Sequence, residues 1–395
     1  MTAQQTGIVY LEDLPQEKIY VSLKNDLFQS LNKEIRKIGI FKFARRLNVS
    51  ERTINHWLTE GTLVRLDVLI QVCHHFNINY QNHISYLRGK TGGKIYNPKL
   101  PFDFTSEAGV RLIASILGDG GISKKRKIAC YSNTNKDLIR GFLYDAKRVF
   151  GEVECTSWSI QKKNSIVSNV SSPPILSEVF FLLGLKAGKK VEINPHIPEF
   201  IFTLSDQHKY TFLSQFIDDE GTVNVAGKHV SLTSACLEKY GKSHLLEDIQ
   251  RLLLPLDILC SIYPSKVYSS KRGEPRKTWK LQINGSIQLK KLYEYSNIRS
   301  QEKKERLYRL INSYSLTIFR RRDILETYIN FMRKIQTIQG FFTSLDLANE
   351  TGRAEGSCRN MIAKYQKLGI ATCIQPLVLT SKGAVYGRYV LDPLI

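Results

Sequence analysis

The stretch LIASILGDG, Leu112 to Gly120, has a counterpart of the same build in LSQFIDDEG, Leu213 to Gly221. Each is an apolar run that closes on an acid followed by glycine: Asp119 then Gly120, and Glu220 then Gly221. Two such copies, roughly one small domain apart, are the mark of a duplication, and no other feature restricts the fold as strongly. In the first copy Leu112, Ile113, Ile116 and Leu117 make an apolar helical face. The small residues Ala114 and Gly118 lie four apart beside it and leave room for a second helix. The glycine after each acid reads as a helix stop, which places each carboxylate in a last turn among free carbonyl oxygens. That setting suits a divalent cation and disfavours a lone anion. Two such helices packed side by side would bring two carboxylates to one end of their interface.

The chain around these copies repeats as well. After the first comes GISKKRKIACYSNT as a hairpin, NKDLIRGFLYDAKRVFG as a helix, VECTSWSI and SIVSNVSS as strands, and PPILSEVFFLLGL as a helix with proline at its start. After the second come TVNVAGKH and VSLTSACLE, the helix HLLEDIQRLLLPLD, the strands LCSIYPSKVYSS and TWKLQINGS, and the helix SIQLKKLYEYS. Both halves read αββαββα. The fold class is therefore α+β, with two curved sheets.

With 395 residues the chain is long enough for several domains, and a net charge of +21 calls for a polyanionic partner. No run approaches a membrane span and no basic amphipathic anchor is evident, so the expected partner is double-stranded DNA and not a membrane. The opening MTAQQTGIVYLEDLPQEK has no basic apolar leader, and the seven cysteines are dispersed without a CxxC pair. Both features point to a reduced, cytoplasmic setting, nucleoid-associated in a prokaryote. Cys73, His74 and His75 lie in a helical pattern without a second cysteine pair, so zinc is not expected there.

The doubled acid-glycine motif resembles the two signature helices of a single-chain LAGLIDADG homing endonuclease, and the likeness runs from about Ser106 to Arg309. Leu117 departs from the pattern where it has its first acid, and Gln215 where a small residue is usual. The resemblance implies that Asp119 and Glu220 are the metal-binding acids, one per half, holding Mg²⁺ or another divalent cation. It also implies an assisting lysine in the basic segment after each half's last helix. These are Lys189 or Lys190 in GLKAGKKVEINPHIP, and Lys303 or Lys304 in RSQEKKERL. Each sheet would be a saddle laid in a DNA groove, with Lys125, Lys127, Lys266 and Lys280 among its contacts. Lys162, Lys163, Lys228, Lys271 and Arg272 extend the same basic set.

Modules flank this core. In IGIFKFARRLNVSERTINHWLTEG, Phe41, Ala44 and Leu47 face inward on one helix, Asn48 opens a turn, and Ser50 caps a second helix with Ile54, Trp57 and Leu58 buried. This resembles a repressor-type helix-turn-helix, which would offer Arg52, Thr53, Asn55 and His56 to base edges. RGKTGGKIYNPKLP, rich in Gly, Pro and Lys, reads as a flexible linker. From Phe319 onward, two helices about a turn at Gly352 and two strandlike runs resemble a winged helix. Its DNA face would carry Arg353 and Arg359. The expected division is 1–88 helix-turn-helix, 89–105 linker, 106–205 first half, 206–315 second half and 316–395 winged-helix-like domain.

The function expected is a sequence-specific, metal-dependent double-strand break by a monomer with a pseudo-twofold core. Two alternatives use the same surface: a transcription regulator that keeps the saddle without cutting, and a maturase acting on the intron RNA that encodes it. An intein is disfavoured, since the residues that splicing chemistry needs are missing at both ends of this sequence.

Overall fold

The computed structural model describes residues 2–60, 63–162, 165–268, 274–314, 324–380 and 383–392. Lys163, Lys271, Arg272 and Phe319, named above, lie outside this set. Among the described residues no helix is long and apolar enough to cross a membrane.

The repeat read in sequence is a repeat in space. In the first half the strands Gly120–Ile122, Ala129–Asn133, Thr156–Lys162 and Ser165–Ser171 form one antiparallel sheet, with the fourth strand between the second and third. In the second half Gly221–Asn224, His229–Leu237, Cys260–Tyr268 and Arg276–Asn284 make a sheet of the same order. The register is shared too. Gly120, just past the first acid, pairs with Tyr131, and Gly221 pairs with Leu232 at the matching place. Helices Lys136–Phe150 and Pro174–Leu182 cover the first sheet; His244–Leu253 and Ser286–Tyr295 cover the second.

The two signature helices, Glu107–Leu117 and Asp206–Glu220, pack against each other between the sheets. The first begins where the Ser106 hydroxyl accepts the Gly109 amide at 3.3 Å. From Gly109 to Leu117 every residue of it is buried, so it lacks the wet face of an ordinary surface helix and must be covered on all sides. Its end differs from the sequence reading. The helix closes at Leu117 with Gly118 as its cap, so Asp119 lies just beyond the last turn, whereas Glu220 is the final residue of its own helix. At Gly118 the second helix comes into close contact. A Cβ there would sit 2.4 Å from Asp219 Oδ2 and 2.7 Å from Asp219 Cβ.

The stretch read as a flexible linker is ordered structure. Lys94–Tyr96 joins Ile84–Gly89 and Ile19–Leu23 in a five-stranded sheet that also takes in Glu152–Val153 of the first half. Phe102–Asp103 pairs with Ile8–Val9. Ile95, Phe102 and Phe104 are fully buried, and Phe102 and Phe104 pack their rings on Phe150. Aromatic burial outweighs the Gly, Pro and Lys content that suggested a tether. The helices Asn25–Ile38, Ile40–Arg46, Glu51–Glu60 and Leu66–His75 share one continuous apolar core with both halves.

The C-terminal unit has its own core, built around Tyr328, Met332, Phe342, Cys358, Ile362 and Tyr365. Its helices are Ile324–Gln339, Ser344–Thr351 and Glu355–Lys367. The expected strand runs are each divided, Ala371–Gln375 pairing with Arg388–Leu391 and Val378–Thr380 with Gly383–Val385. Lys228, read as a DNA contact, instead ties this unit to the second half. Its ammonium is buried and donates to the carbonyls of Ser313 and, at 2.7 Å, Gly352, while the Glu355 amide donates to Ala226 O at 3.2 Å.

Gly118→Ala should cost about 1–3 kcal/mol, because the methyl meets the Cβ and carboxyl of Asp219 near its backbone and cannot be evaded by a rotamer change. Gly121→Ala, with nothing within 4 Å of its added carbon, is the matched control. Calorimetric unfolding of both variants should show a lowered midpoint for the first alone; equal midpoints would mean that the helices are not held at this contact.

Candidate active site at the helix seam

The C-terminal ends of the signature helices bring together Asp119, Asp219 and Glu220, and two lysines reach the same place. Burial raises the pKa of Asp119, opposed by Lys190 and Lys303; burial also raises that of Glu220, opposed first by Lys190. Lys190 and Lys303 move the other way. Burial lowers both; Glu220, Asp119 and Asp219 hold Lys190 up, and Asp218 first, then Asp219, Asp119 and Glu220, hold Lys303 up. Three acids and two ammonium groups thus share one partly desolvated field.

Asp119 and Lys303 are held by local structure. Asp119 Oδ2 accepts the side-chain amide of Asn133 at 2.8 Å, from the strand beside it. Lys303 donates to the carbonyls of Ile217 at 2.9 Å and Asp218 at 2.7 Å, so it caps the second signature helix at its negative end. Asp218 acts on Lys303 by its charge, but its oxygens are taken up elsewhere. Its carboxylate accepts the amides of Arg299 at 2.8 Å and Ser300 at 2.9 Å and fastens the segment that starts the Lys303 helix.

Lys190 is half-buried next to the acids, whereas Lys189 is exposed and paired with Glu192 at 2.9 Å. Of the two residues open in the sequence reading, the structure brings only Lys190 to the acids. On the other side it brings Lys303, and Lys304 lies exposed.

Asp219 was not singled out from sequence, although three acids in succession, Asp218, Asp219 and Glu220, were the available signal. It takes the place that Gly118 has in the first copy and turns into the seam. Its Oδ1 accepts Tyr131 Oη at 2.6 Å and Gln215 Nε2 at 3.1 Å, and its Oδ2 receives the Asp119 amide at 3.5 Å. Gln215 therefore has a task at the position where a small residue was expected. Burial first, and the neighbouring Asp119 charge as well, push the Asp219 carboxyl up to about 8.

The donor set fits a hard divalent cation. It offers carboxylate oxygens from two chain segments and helix-end carbonyls, without thiol or imidazole. Among the described residues no three His, Cys, Asp or Glu side chains are gathered as a finished cage. Any cation would take the remainder of its ligands from water or from a bound phosphate, as Mg²⁺ commonly does.

The nucleic-acid candidates fall into two groups. Arg52, Thr53, Asn55 and His56 are exposed along one face of Glu51–Glu60, with the Ser50 hydroxyl accepting the Thr53 amide at 3.1 Å and Ile54, Trp57 and Leu58 buried behind. Lys125, Lys127 and Lys266 are exposed, and Lys280 is half-buried on the second sheet opposite Tyr263. Arg353 and Arg359 have structural engagements. The Arg353 guanidinium lies 5.7 Å from the Tyr328 ring centre, and Arg359 forks onto Glu355 at 2.8–3.2 Å.

A family profile described as a LAGLIDADG-like domain matches residues 208–297, within the second half. In sequence, the chain is 27% identical over 188 residues to the ribonucleoside-diphosphate reductase NrdEB subunit alpha of Bacillus subtilis (strain 168), and equally to that of Bacillus phage SPbeta. The match takes in 45% of this chain and 16% of the reductase, so the chain spans only a small part of these relatives' length. Among solved structures, the homing endonuclease I-DmoI in complex with DNA and Mn superposes with a TM-score of 0.32 and 16% identity, over 47% of this chain and 94% of that one. Full-length DUF199/WhiA from Thermatoga maritima gives a TM-score of 0.36 and 12% identity, over 68% of this chain and 93% of the other.

The Asp219 carboxyl makes a pH prediction. A carboxyl whose pKa is raised on folding favours the folded state while it is protonated. That contribution is lost as pH climbs from the ordinary carboxylate range through about 8. Without divalent cations, Asp219→Asn should therefore unfold at a progressively higher temperature than the parent between pH 5 and 9, the gap reaching several degrees. A gap that stays constant across that range would show that Asp219 does not titrate between pH 5 and 9 and would contradict the raised carboxyl.

Proposed function

We propose that this chain is a DNA endonuclease that cuts both strands of a specific site with the help of a divalent cation. The observation that carries the reading is the meeting of Asp119 and Glu220, one from each half, with Lys190 and Lys303 in the same field. A cation held by these carboxylates, Mg²⁺ by preference, would supply a Lewis acid for a phosphodiester oxygen and a more acidic water.

The remaining work belongs to the protein. Asn133 fixes the Asp119 carboxylate through one of its oxygens. Lys190 and Lys303 are partly desolvated cations, which stabilise charge growing on a phosphoryl oxygen more strongly than exposed lysines do. The charge of +21 and the basic residues on the two sheets favour backbone contact along an extended duplex. The exposed face of Glu51–Glu60 has the form of a base-reading helix, and the C-terminal unit serves as a second DNA-binding module of winged-helix type. Because one chain contains both halves, a monomer suffices.

A DNA-reading regulator without cleavage is the second reading, and one observation favours it. Asp219 places a third carboxyl in the seam against Asp119, and while it is protonated it brings no negative charge to a cation there.

The two readings separate on isosteric variants. Asp119→Asn and Glu220→Gln should each lower cutting by several orders of magnitude, while DNA affinity holds or improves, since a carboxylate near phosphate repels it when no cation intervenes. Lys190→Met should slow cutting by about 10² and Lys189→Met should leave it unchanged. Binding and nicking are measured together with Mg²⁺ and with Ca²⁺. Parental cutting rates in both acid variants would remove these residues from the reaction.

A further inference from the structure

The far end of the first signature helix holds a second polar site that the cleavage reading does not use. A cleft of about 580 Å³ opens between the start of this helix, the helix Lys136–Phe150 and the segment around Asn297 to Arg299. It lies roughly 15 Å along the helix axis from Asp119 and is walled by both halves of the core.

Four cations line the cleft, and three acids oppose them. Arg299 and Asp145 satisfy each other through a two-pronged pair at 2.6 and 2.8 Å. Asp103 turns onto the amide and hydroxyl of Thr105 at 2.8 and 2.6 Å. Arg111, Arg148 and Lys99 then line the cleft together with Glu107, whose charge reaches Arg111. Lys99 also donates to the Arg148 carbonyl at 3.3 Å, which keeps these two rim residues together.

Arg111 makes this cleft more than a basic dent. The residue is only 3% exposed; its Nη2 donates to Asn297 O at 3.0 Å, and its Nη1 is buried without a hydrogen-bond partner. A buried guanidinium N–H left without an acceptor is costly, and the guanidinium fork is shaped for a carboxylate or phosphate. The first turn of Glu107–Leu117 forms part of the same wall, so the positive end of the helix adds to the field there.

We infer that this cleft binds a small phosphate dianion, with its oxygens on Arg148 and Lys99 at the rim and the buried Arg111 guanidinium supplying positive charge behind them. The cleft is larger than a phosphate ion alone requires, and the exposed ring of Tyr144 on its wall gives a planar group something to lie against. The shared chemistry is the phosphate; free phosphate and a nucleoside monophosphate are its two sources. Since Arg111 and Asn297 come from opposite halves, an occupied cleft ties the halves together at the end remote from the acids.

The test uses the full chain in chloride buffer without DNA, by equilibrium dialysis against inorganic phosphate and, separately, adenosine monophosphate. One saturable site is expected, tighter for the nucleotide if the Tyr144 wall contributes. Arg111→Met should weaken it at least tenfold. Arg148→Glu, at the exposed rim and harmless to folding, should weaken it comparably and decides the matter if the Arg111 variant fails to fold. Lys33→Met, on the exposed side of Asn25–Ile38, should leave phosphate binding unchanged. Absence of a saturable site, or a site lost with Lys33→Met and indifferent to Arg148→Glu, overturns the inference. Neither result bears on DNA cleavage.

Discussion

Everything at the centre of this molecule depends on how closely two helices approach at Gly118 and Asp219. The first signature helix can end against the second only because Gly118 has no side chain where Asp219 stands. That contact sets the position of Asp119, one residue on, relative to Glu220, one residue past Asp219. The two sheets hang from the same seam with matching strand order, and the geometry of the acids and of both sheets is fixed together. Away from the seam the halves are fastened by buried polar ties. Within the second half Asp218 receives the amides of Arg299 and Ser300, and the segment so anchored is joined to a helix of the first half by the Asp145 to Arg299 pair. Removing one partner of such a buried pair costs about 3–5 kcal/mol, because the other charge is left without compensation.

The seam is also an electrostatic compromise. Three carboxyls and two ammonium groups are more desolvated than free side chains, and each raises or lowers its neighbours. Lys303 and the Asn133 amide stabilise particular oxygens, whereas Asp219 is relieved by protonation and accepts a hydrogen bond from Tyr131. A site assembled in this way stores repulsion that a cation would release. The halves are unequal in this respect. Asn133 and Tyr131 serve the first acid and the seam, while the second sheet has Leu232 where the first has Tyr131.

The duplication was legible in the sequence because its signals are local: apolar runs of helical period, a closing acid and glycine, and strands of alternating character. The order of elements in both halves, and the helix that carries Arg52 and Asn55, follow from such patterns. Lys228 and the segment 89–105 were not legible, since their roles depend on distant partners. Lys228 bonds carbonyls at Ser313 and Gly352, and the segment is held by Phe150 and by a strand at Glu152–Val153. Charge and glycine content describe a residue's preference for water, not the carbonyl or ring that the fold brings to it. For the same reason the choice between Lys189 and Lys190 could not be made from the sequence. Adjacent lysines differ only in which side of a short helical turn meets the acids.

The central claim is that the seam is a catalytic centre with one strand assigned to each half. The most direct measurement is to incubate the full chain with Mg²⁺ and a randomised library of DNA duplexes, and to sequence the ends of broken molecules. The account predicts one recurrent site, cut on both strands with a constant offset, and no breaks when Mg²⁺ is withheld. Selective binding of a recurrent site without metal-dependent breaks would contradict it and leave a DNA reader built on the same seam.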